Sequence, residues 1–280
     1  MTPARTVDLR LHAVDDLLCR VERYLQVSLD RGSLVRKRRS VGAATERGTW
    51  VRIERRPASR VGTQGWNGAE TAAALTGISM PEWFAGVSWR EGDEVVWRAD
   101  ETSLLPDAPV QAGTLTVRPD LPEEWWKQLS ASLDALAVQS TSRVATPDTV
   151  TITQVRVSEA IRRTFSSTFD TTISMWVPAH ADLNWANVTA PSCCLFDWED
   201  WGMAPLGLDS ASLWANSLAV PDLAERVWAE RRRDLESRDG LLMAMFCLGK
   251  IVGDYADPAD PKLRPAEQAA ARIVGELVDH

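Results

Sequence analysis

The sequence predicts an α+β protein with a small, sheet-rich N-terminal part and a larger, mainly helical C-terminal part. Between residues 33 and 99, short strand-like runs are separated by turns that contain Gly. From residue 121 onward, apolar residues recur at three- and four-residue steps, which indicates helices. We therefore expect two parts, residues 1–103 and 104–280, in a chain long enough to bury a sizeable core.

The N-terminal part is expected to begin with an amphipathic helix within residues 7–30. A second helix is predicted from Trp66 to Leu75, and it carries Glu70. Strands are predicted at Leu34–Val41, Thr49–Glu54, Trp83–Trp89 and Val95–Ala99. Together they form an antiparallel sheet.

The C-terminal part is expected to be built from helices around one polar loop, residues 180–187. A short apolar strand from Cys193 follows this loop and ends in a second polar run, up to residue 200. A further short strand is predicted at Thr114–Val117. A short helix is predicted within Val157–Phe169. Longer helical segments are predicted at Leu121–Ala137, Leu208–Ala219, Ala224–Glu236, Gly240–Val252 and Pro265–Val278.

Charge is distributed unevenly along the chain. The net charge of −8 argues against a general nucleic-acid-binding protein. Residues 31–60 contain ten Lys or Arg and two Asp or Glu, so they carry +8 and the remainder carries −16. This basic segment suits a cover over phosphates or a docking surface for an acidic partner, and it is equally explained as a solvated face of the sheet.

The cysteines and apolar runs indicate a cytoplasmic protein that does not interact with a membrane. The four cysteines lack the spacing of a zinc site, and two of them are adjacent in an apolar run, which favours buried free thiols. No signal peptide opens the sequence. The apolar run Leu241–Leu248 is too short to cross a bilayer.

Three polar residues, Asp182, Asn187 and Asp197, recur at a spacing that suits phosphoryl transfer. In kinase chemistry one acid orients the attacking hydroxyl, while an amide and a second acid hold magnesium. These side chains supply the hard oxygen ligands that this ion requires. The alternative is a polar loop before a buried strand, in which Asp and Asn serve as turn residues.

The run from His180 to Asn187, with Asp197-Trp-Glu-Asp200 after it, resembles the aminoglycoside-phosphotransferase-like family of the protein-kinase-like superfamily. Members typically have H-G-D-L-x-x-x-N and then I-D-W-E. Here Ala181 replaces the usual Gly, and Gly207-Leu-Asp209-Ser-Ala211 is similar to the family's G-Y-D-L-A. The resemblance implies a bilobal protein-kinase-like fold with a sheet-rich N-lobe and a helical C-lobe.

The resemblance also implies roles for single residues. Asp182 would be the catalytic acid–base residue, and Asn187 and Asp197 would bind Mg²⁺. His180 and Asp209 would support the loop structurally.

Two residues of the N-lobe are expected to act on the nucleotide. Arg52 lies where kinases have a strand Lys, and its guanidinium can grip a phosphate with two donors. Glu70 would pair with it, as in the strand–helix ion pair of kinases. Alternatively, both are ordinary surface charges. The loop before this strand has only Gly42 and Gly48, which is a weak phosphate-binding pattern.

The function implied by the resemblance is ATP- and Mg²⁺-dependent phosphorylation of a hydroxyl. The first expectation for the acceptor is Ser or Thr of a ribosomally made precursor peptide, as in the actinobacterial kinases of thioamitide and lanthipeptide biosynthesis that belong to the family. The short, Trp-rich form of the motif favours it, and the basic N-lobe could hold an acidic leader peptide. A separate lyase would then be a partner protein. The alternatives are a small-molecule kinase, of antibiotics or metabolites, and a non-catalytic pseudokinase that serves as a scaffold.

Tryptophan is abundant, with 13 residues, and three lie beside the motif: Trp185, Trp198 and Trp201. They are expected either to form an apolar wall for a substrate or to fill the core.

Overall fold

A computed structural model describes residues 8–62, 64–111, 113–165, 169–254 and 256–279. The chain divides into two units. Unit 1 comprises Met1–Ala74 and Pro81–Pro106, and unit 2 comprises Leu75–Met80 and Asp107–His280.

Unit 1 is built on a five-stranded antiparallel sheet with the strand order β1-β2-β3-β5-β4. Strands β4 and β5 form a hairpin with its turn at residues 92–94, and they pair along most of their length. The strands are β1 (Val35–Arg36), β2 (Ser40–Ala44), β3 (Thr49–Pro57), β4 (Trp83–Glu91) and β5 (Val95–Ser103). The mixed α+β class predicted for the chain is confirmed by this sheet and the helical unit 2.

Helix α1 (Asp15–Leu25) covers one face of this sheet. Its apolar residues recur at three- and four-residue steps, so they form a single buried stripe. Leu18 and Val21 are fully buried and belong to the same core as Val51 and Ile53 of β3. The opposite side of α1 is exposed, as its polar residues require.

The expected strand Leu34–Val41 is wrong in one respect, because a turn divides it. The N–H of Lys37 donates to the carbonyl of Ser40 at 2.8 Å, which closes a tight turn over the basic run. Four cations in a row, residues 36–39, are exposed here, since a sheet interior cannot accept them. The second predicted helix is also shorter than expected, with α2 spanning Gly68–Ala72.

Unit 2 is mainly helical. Its helices are α3 (Glu123–Ala137), α4 (Gln154–Phe165), α5 (Leu208–Ala215), α6 (Pro221–Glu230), α7 (Arg232–Leu235), α8 (Arg238–Val252) and α9 (Leu263–Asp279). Helix α8 lies at the centre, in contact with α4, α5, α7 and α9. Every residue from Asp239 to Leu248 is buried, which explains the apolar run there. None of the helices in the described ranges is long and apolar enough to span a bilayer.

Two small strand pairs frame the polar loop of unit 2. β7 (Trp176–Ala179) pairs with β9 (Gly202–Pro205), and β6 (Ala108–Pro109) pairs with β8 (Thr189–Ala190). The strand predicted from Cys193 is reduced to one isolated bridge, between Val188 and Leu195.

The strand predicted at Thr114–Val117 is absent. Of its residues only Leu115 is buried, and Val117 is 77% exposed. A strand needs a hydrogen-bonded neighbour to be stable, and an isolated segment before two prolines has none in the assigned sheets.

Candidate functional site

The loop that follows β7 is held by the side chain of Asp209. The N–H of His180 donates to Asp209 Oδ2 at 2.7 Å, and the N–H of Ala181 donates to Oδ1 at 2.8 Å. Asp209 lies in the first turn of α5, which Gly207 begins with φ 87°. A Cβ on Gly207 would lie 2.8 Å from the Cα of Gly240, so the close approach of α5 to α8 requires glycine here.

Asp209 is almost completely buried. Burial raises the pKa of its carboxyl, whereas His180 and the two backbone N–H groups lower it, and the effect of burial is the larger. A buried carboxylate that accepts two N–H groups fixes the direction in which the chain enters the loop.

His180 is fully buried beneath the loop. Its Nε2 lies 2.9 Å from the carbonyl oxygen of Phe196, which can only accept, so Nε2 carries the proton. Its ring packs edge-on against Trp198 at 4.6 Å between centroids. Nδ1 is buried without a hydrogen-bond partner among the described residues. His180 thus links the segments on either side of the site and is closed off from solvent.

Asp182 and Asn187 are joined directly. Asn187 Nδ2 donates to Asp182 Oδ2 and to the Asp182 carbonyl, both at 2.8 Å. Asn184 Nδ2 donates to the same carbonyl at 3.0 Å and to Oδ1 at 3.3 Å. Since the amide nitrogen of Asn187 is committed to Asp182, its Oδ1 is the end of the amide that can bind a cation.

The electrostatic surroundings of Asp182 are acidic. Asp182 is exposed, yet desolvation by the surrounding protein is the largest cause that raises the pKa of its carboxyl. Asp197 and Asp200 raise this pKa further, while His180 and the hydrogen bond from Asn187 lower it without prevailing. Three carboxyl groups therefore interact in one part of unit 2.

Backbone pairing aligns the segment that carries Asn187 with the segment that carries Asp197. The N–H of Phe196 donates to the carbonyl of Asn187 at 3.0 Å, and Thr189 N–H donates to the carbonyl of Cys194 at 3.1 Å. Asp197 directly follows this pairing and has φ 69°, a left-handed conformation that Asp tolerates better than most residues. The pairing brings the two segments together although nine residues of intervening chain separate Asn187 from Asp197.

The donor set at this place fits a hard divalent cation. Asn187 Oδ1 and the Asp197 carboxylate are oxygen ligands of the type Mg²⁺ prefers, and the surrounding carboxyl groups supply the negative charge. No group of three or more His, Cys, Asp or Glu side chains that could hold an ion occurs in the described ranges. An ion bound by Asn187 and Asp197 would therefore take further ligands from water or from a bound phosphate.

The two predicted nucleotide residues belong to unit 1. Arg52 lies on β3, where its Nη2 donates to Glu54 Oε2 at 2.7 Å. Glu70 lies in α2, where its Oε2 accepts from Arg98 Nη2 at 3.2 Å. Glu54 and Arg98 are buried and directly opposite each other on β3 and β5. Glu54 also pairs with Arg56, and Arg98 also pairs with Asp100. The ion pair between Arg52 and Glu70 stays a prediction.

The three tryptophans beside the motif are buried, each at most 3% exposed. Trp185 stacks on Trp125 at 5.9 Å and donates its N–H to Ser217 Oγ at 3.0 Å. Trp198 donates to the carbonyl of Leu195 at 2.8 Å. Of the two expectations for these residues, the structure favours the core.

Sequence reasoning missed two residues that shape the site. Asn184 bonds to Asp182, and an Asn two positions after an Asp is a local signal that could have been used. Thr146 Oγ1 donates to Asp200 Oδ1 at 2.6 Å, and the Thr146 N–H donates to the Asp200 carbonyl at 2.9 Å. Thr146 is 54 residues away in sequence and nothing in the sequence around it marks it.

Comparisons with known proteins agree at the level of the fold. No protein-family model matches the chain, and no curated protein sequence matches it. Among solved structures, amicoumacin kinase hAmiN with AMP-PNP, Ca²⁺ and Ami has a TM-score of 0.55 at 12% identity, covering 95% of this chain and 93% of that one. A putative aminoglycoside phosphotransferase from Ralstonia eutropha JMP134 has a TM-score of 0.54 at 10% identity, covering 92% and 97%.

A third structure, the GDP and kanamycin complex of APH(2")-IIia, has a TM-score of 0.52 at 14% identity, with 95% and 98% covered. Identities this low carry information about architecture alone. All three matches extend over nearly the whole of both chains. The chain therefore shares its α+β fold with these three structures.

Proposed function

We propose that this protein is a phosphotransferase that moves the γ-phosphoryl group of Mg²⁺-bound ATP to a hydroxyl group. The observation that carries this proposal is the hydrogen-bonded pair of Asp182 and Asn187 beside the segment of Asp197. An acid, an amide and a second acid in this order are the groups that such a transfer requires. The fold shared with nucleotide-bound kinases supports it.

In the proposed mechanism Asp182 accepts a hydrogen bond from the acceptor hydroxyl. As the new P–O bond forms and the bond to the β-phosphate oxygen breaks, the hydroxyl proton passes to Asp182. Asn187 holds one Asp182 oxygen, which keeps the carboxylate oriented. Asn187 and Asp197 would hold Mg²⁺, which offsets the charge of the phosphates when bound. His180 and Asp209 fix the loop but do not touch the reacting atoms.

Arg52 is proposed to bind the α- or β-phosphate, with Glu70 helping to position it. The guanidinium of Arg52 already has an ordered carboxylate partner in Glu54, which restricts its conformations. This assignment is separable from that of Asp182. Loss of Arg52 should weaken nucleotide binding, whereas loss of Asp182 should slow the chemical step.

We propose a small molecule as the first candidate acceptor. The hAmiN structure contains Ami and the APH(2")-IIia structure contains kanamycin, both small molecules, beside their nucleotides. The carboxyl groups around Asp182 would favour a cationic acceptor of this kind.

A peptide Ser or Thr, with a lyase acting on the product, is the second candidate. The exposed cations of residues 36–39 favour it, because they could hold an acidic peptide. Mass spectrometry divides the candidates: a mass gain of one phosphate on hydroxylated, amine-bearing antibiotics supports the small-molecule acceptor, and the same gain on acidic Ser/Thr peptides supports the peptide acceptor.

The catalytic assignment is tested with Asp182→Asn. We expect turnover to fall by about 10²–10⁴-fold, since a positioned base contributes about this much. Thermal stabilisation by Mg·ATP should persist, because Asp182 is not a proposed ligand of metal or nucleotide. Asp120→Asn, an exposed position in unit 2, is the matched control and should leave both quantities unchanged.

Unaltered turnover in Asp182→Asn would contradict the assignment of Asp182 as the catalytic base. A wild-type protein that Mg·ATP does not stabilise would instead favour the scaffold alternative.

A further inference from the structure

Unit 1 contains a cavity that the proposed chemistry does not use. It measures about 710 Å³ and lies between the N-terminal half of α1, with the residues before it, and the β4–β5 hairpin. Its size falls within the range of about 300–1,000 Å³ that is usual for small-molecule sites. Neither Arg52 nor Glu70 lines it.

One row of side chains across the sheet forms the floor of this cavity. Arg55 of β3 is directly opposite Trp97 of β5, and Trp97 is directly opposite Trp89 of β4. Side chains of directly paired residues project from the same face. The two indole rings are nearly parallel, with 6.0 Å between centroids and 5° between planes. The row therefore places Arg55 beside Trp97 and Trp89 on one face of the sheet.

Two polar groups of this floor, the Arg55 guanidinium and the Trp89 N–H, are donors without an acceptor in the part of the chain that the structure describes. Arg55 is half-buried, and its guanidinium makes no hydrogen bond or ion pair with any residue of the described ranges. The indole N–H of Trp89 is buried and likewise lacks an acceptor there. Trp97 differs, since its N–H donates to Glu91 Oε2 at 2.7 Å. A half-buried guanidinium that pairs with no carboxylate of the described ranges favours an anionic ligand.

The acidic residues of the cavity lie at its edge. Four acidic residues line the cavity and all are exposed to solvent: Asp16, Glu91, Asp93 and Glu94. Arg55 is the half-buried charge. Arg20 is also exposed and lies over the ring of Trp89 at 5.9 Å. Acids at the edge would repel a dianion such as a phosphate monoester more strongly than a singly charged carboxylate. This distribution of charge favours a ligand that carries a single carboxylate on an aromatic ring system.

We propose that this cavity binds a small aromatic carboxylate, with the carboxylate on Arg55 and the ring against Trp89 and Trp97. The carboxylate satisfies the guanidinium with two parallel hydrogen bonds, and the ring replaces solvent on the indole surface.

The cavity is separate from the proposed nucleotide residue. Along β3, Arg55 shares the α1-covered face with Val51 and Ile53, and Arg52 projects from the opposite face because side chains alternate. A ligand on Arg55 therefore does not contact Arg52. The Mg²⁺ complex of AMP-PNP should not displace it.

The test is isothermal titration calorimetry of the full-length protein with indole-3-acetate, indole-3-acetamide and tryptamine. These probes share the indole ring and differ in charge. We expect indole-3-acetate to bind at least about tenfold more tightly than either of the others, since hydrogen bonds to a charged partner are worth this much. Saturating Mg·AMP-PNP should leave the affinity unchanged.

Arg55→Gln should abolish the preference for the acid over the amide. Arg55→Lys should retain a reduced preference, because the charge remains and the two-donor geometry is lost. Arg90→Gln is the matched control: it removes one charge from the adjacent position to Trp89, on the other face of β4, and should bind like the wild type. Thermal unfolding establishes that each variant is folded.

Three results would overturn the proposal: no binding of any probe, tryptamine binding as tightly as indole-3-acetate, or a folded Arg55→Gln variant that keeps the preference. Displacement by Mg·AMP-PNP would overturn the assignment to this face of the sheet. None of these outcomes bears on turnover or on Asp182, so the proposed phosphotransferase activity can fail or hold independently.

Discussion

Two residues at the site adopt left-handed backbone conformations, and both directly follow a residue held by the buried framework. Ala181 has φ 69° after His180, and Asp197 has φ 69° after Phe196. Such conformations cost a residue with a Cβ roughly 1–2 kcal/mol, apart from Asn and Asp. The sharp direction changes let each chain segment leave the core and present the next polar side chain, Asp182 in the first case.

The strain at Ala181 leads to a prediction for Ala181→Gly. Glycine accepts positive φ without a Cβ clash, so the free energy of unfolding should rise by up to about 1 kcal/mol. Ala131→Gly, at an exposed position within α3, is the control and should lower it by about 1 kcal/mol. Urea denaturation of both variants measures this, and equal destabilisation by the two substitutions would contradict the account.

At the residue scale, contacts between site residues close together in the sequence could be predicted, and contacts between residues far apart in the sequence could not. Asn187 follows Asp182 by five positions within one short loop, so the two side chains lie close together. Thr146 meets Asp200 only because the chain returns after 54 residues, and no local pattern records that return. The catalytic and metal-binding roles of the site residues stay predictions.

At the scale of single elements, hydrogen bonds to one buried carboxylate hold the turn between β2 and β3 in place. Glu101 of β5 accepts from Arg47 Nε at 2.8 Å and also from Arg47 Nη2 and from the Thr49 hydroxyl. Burial raises the pKa of this carboxyl, but the hydrogen bonds from Arg47 and Thr49 and the charge of Arg47 outweigh it, so the pKa lies below its ordinary value. The turn predicted to cover phosphates is thus fixed to the sheet.

This contact makes stability depend on pH. A carboxyl whose pKa is lower in the folded than in the unfolded chain stabilises the fold above the unfolded value, and this stabilisation is lost as pH falls through the folded value. Glu101→Gln should therefore lower the free energy of unfolding by about 1–3 kcal/mol at pH 7. The difference from the wild type should shrink below about pH 4.

Glu46→Gln is the control, since Glu46 is exposed in the same turn. Its stability curve from pH 3 to 7 should follow that of the wild type. A constant difference between Glu101→Gln and the wild type at every pH would contradict the assignment.

Helices and strands with one apolar face were predicted well. Strands whose formation depends on a pairing partner elsewhere in the chain were predicted poorly. The periodic helices α3 and α9 and the alternating strand β4 lie where the patterns indicate them. The segment from Cys193 to Phe196 is apolar enough for a strand, yet it forms only one bridge, between Val188 and Leu195. The next residues, Thr189–Ala190, pair with β6 instead. Pairing of this kind depends on the tertiary arrangement and cannot be read from a local pattern.

At the scale of the whole molecule, the cysteines differ in their accessibility. Cys19 is exposed on α1, while Cys193 and Cys247 are buried and Cys194 is half-buried. Burial raises the pKa of Cys193 to about 12 and the pKa of Cys194 and of Cys247 to about 11. At pH 8 roughly one in a thousand of these thiols, or fewer, is a reactive thiolate.

Titration of the folded protein with a disulfide reagent at pH 8 should therefore show one fast thiol. Cys19→Ser should remove this fast phase, and denaturant should release the remaining three thiols together. A fast phase that persists in Cys19→Ser would show that the core around α8 or the polar loop opens readily.

The distribution of charge over the chain was visible in the sequence, but its consequence was not. The basic segment was expected to cover phosphates, dock a partner or be solvated, and its members in fact differ. Residues 36–39 are exposed in a turn, Arg47 binds buried Glu101, and Arg55 faces the cavity of unit 1. The face of the sheet on which each cationic side chain lies depends on strand register, and a register shift of one residue would exchange the two faces.

The most direct measurement of the central claim is calorimetric binding of AMP-PNP with and without Mg²⁺, to the wild type and to Asp197→Asn. If Asn187 and Asp197 hold the Mg²⁺ that accompanies the nucleotide, the wild type should bind at least about tenfold more tightly with Mg²⁺, and Asp197→Asn should lose most of this gain. Affinity that is the same with and without the ion, or an undiminished Mg²⁺ effect in Asp197→Asn, would contradict the account.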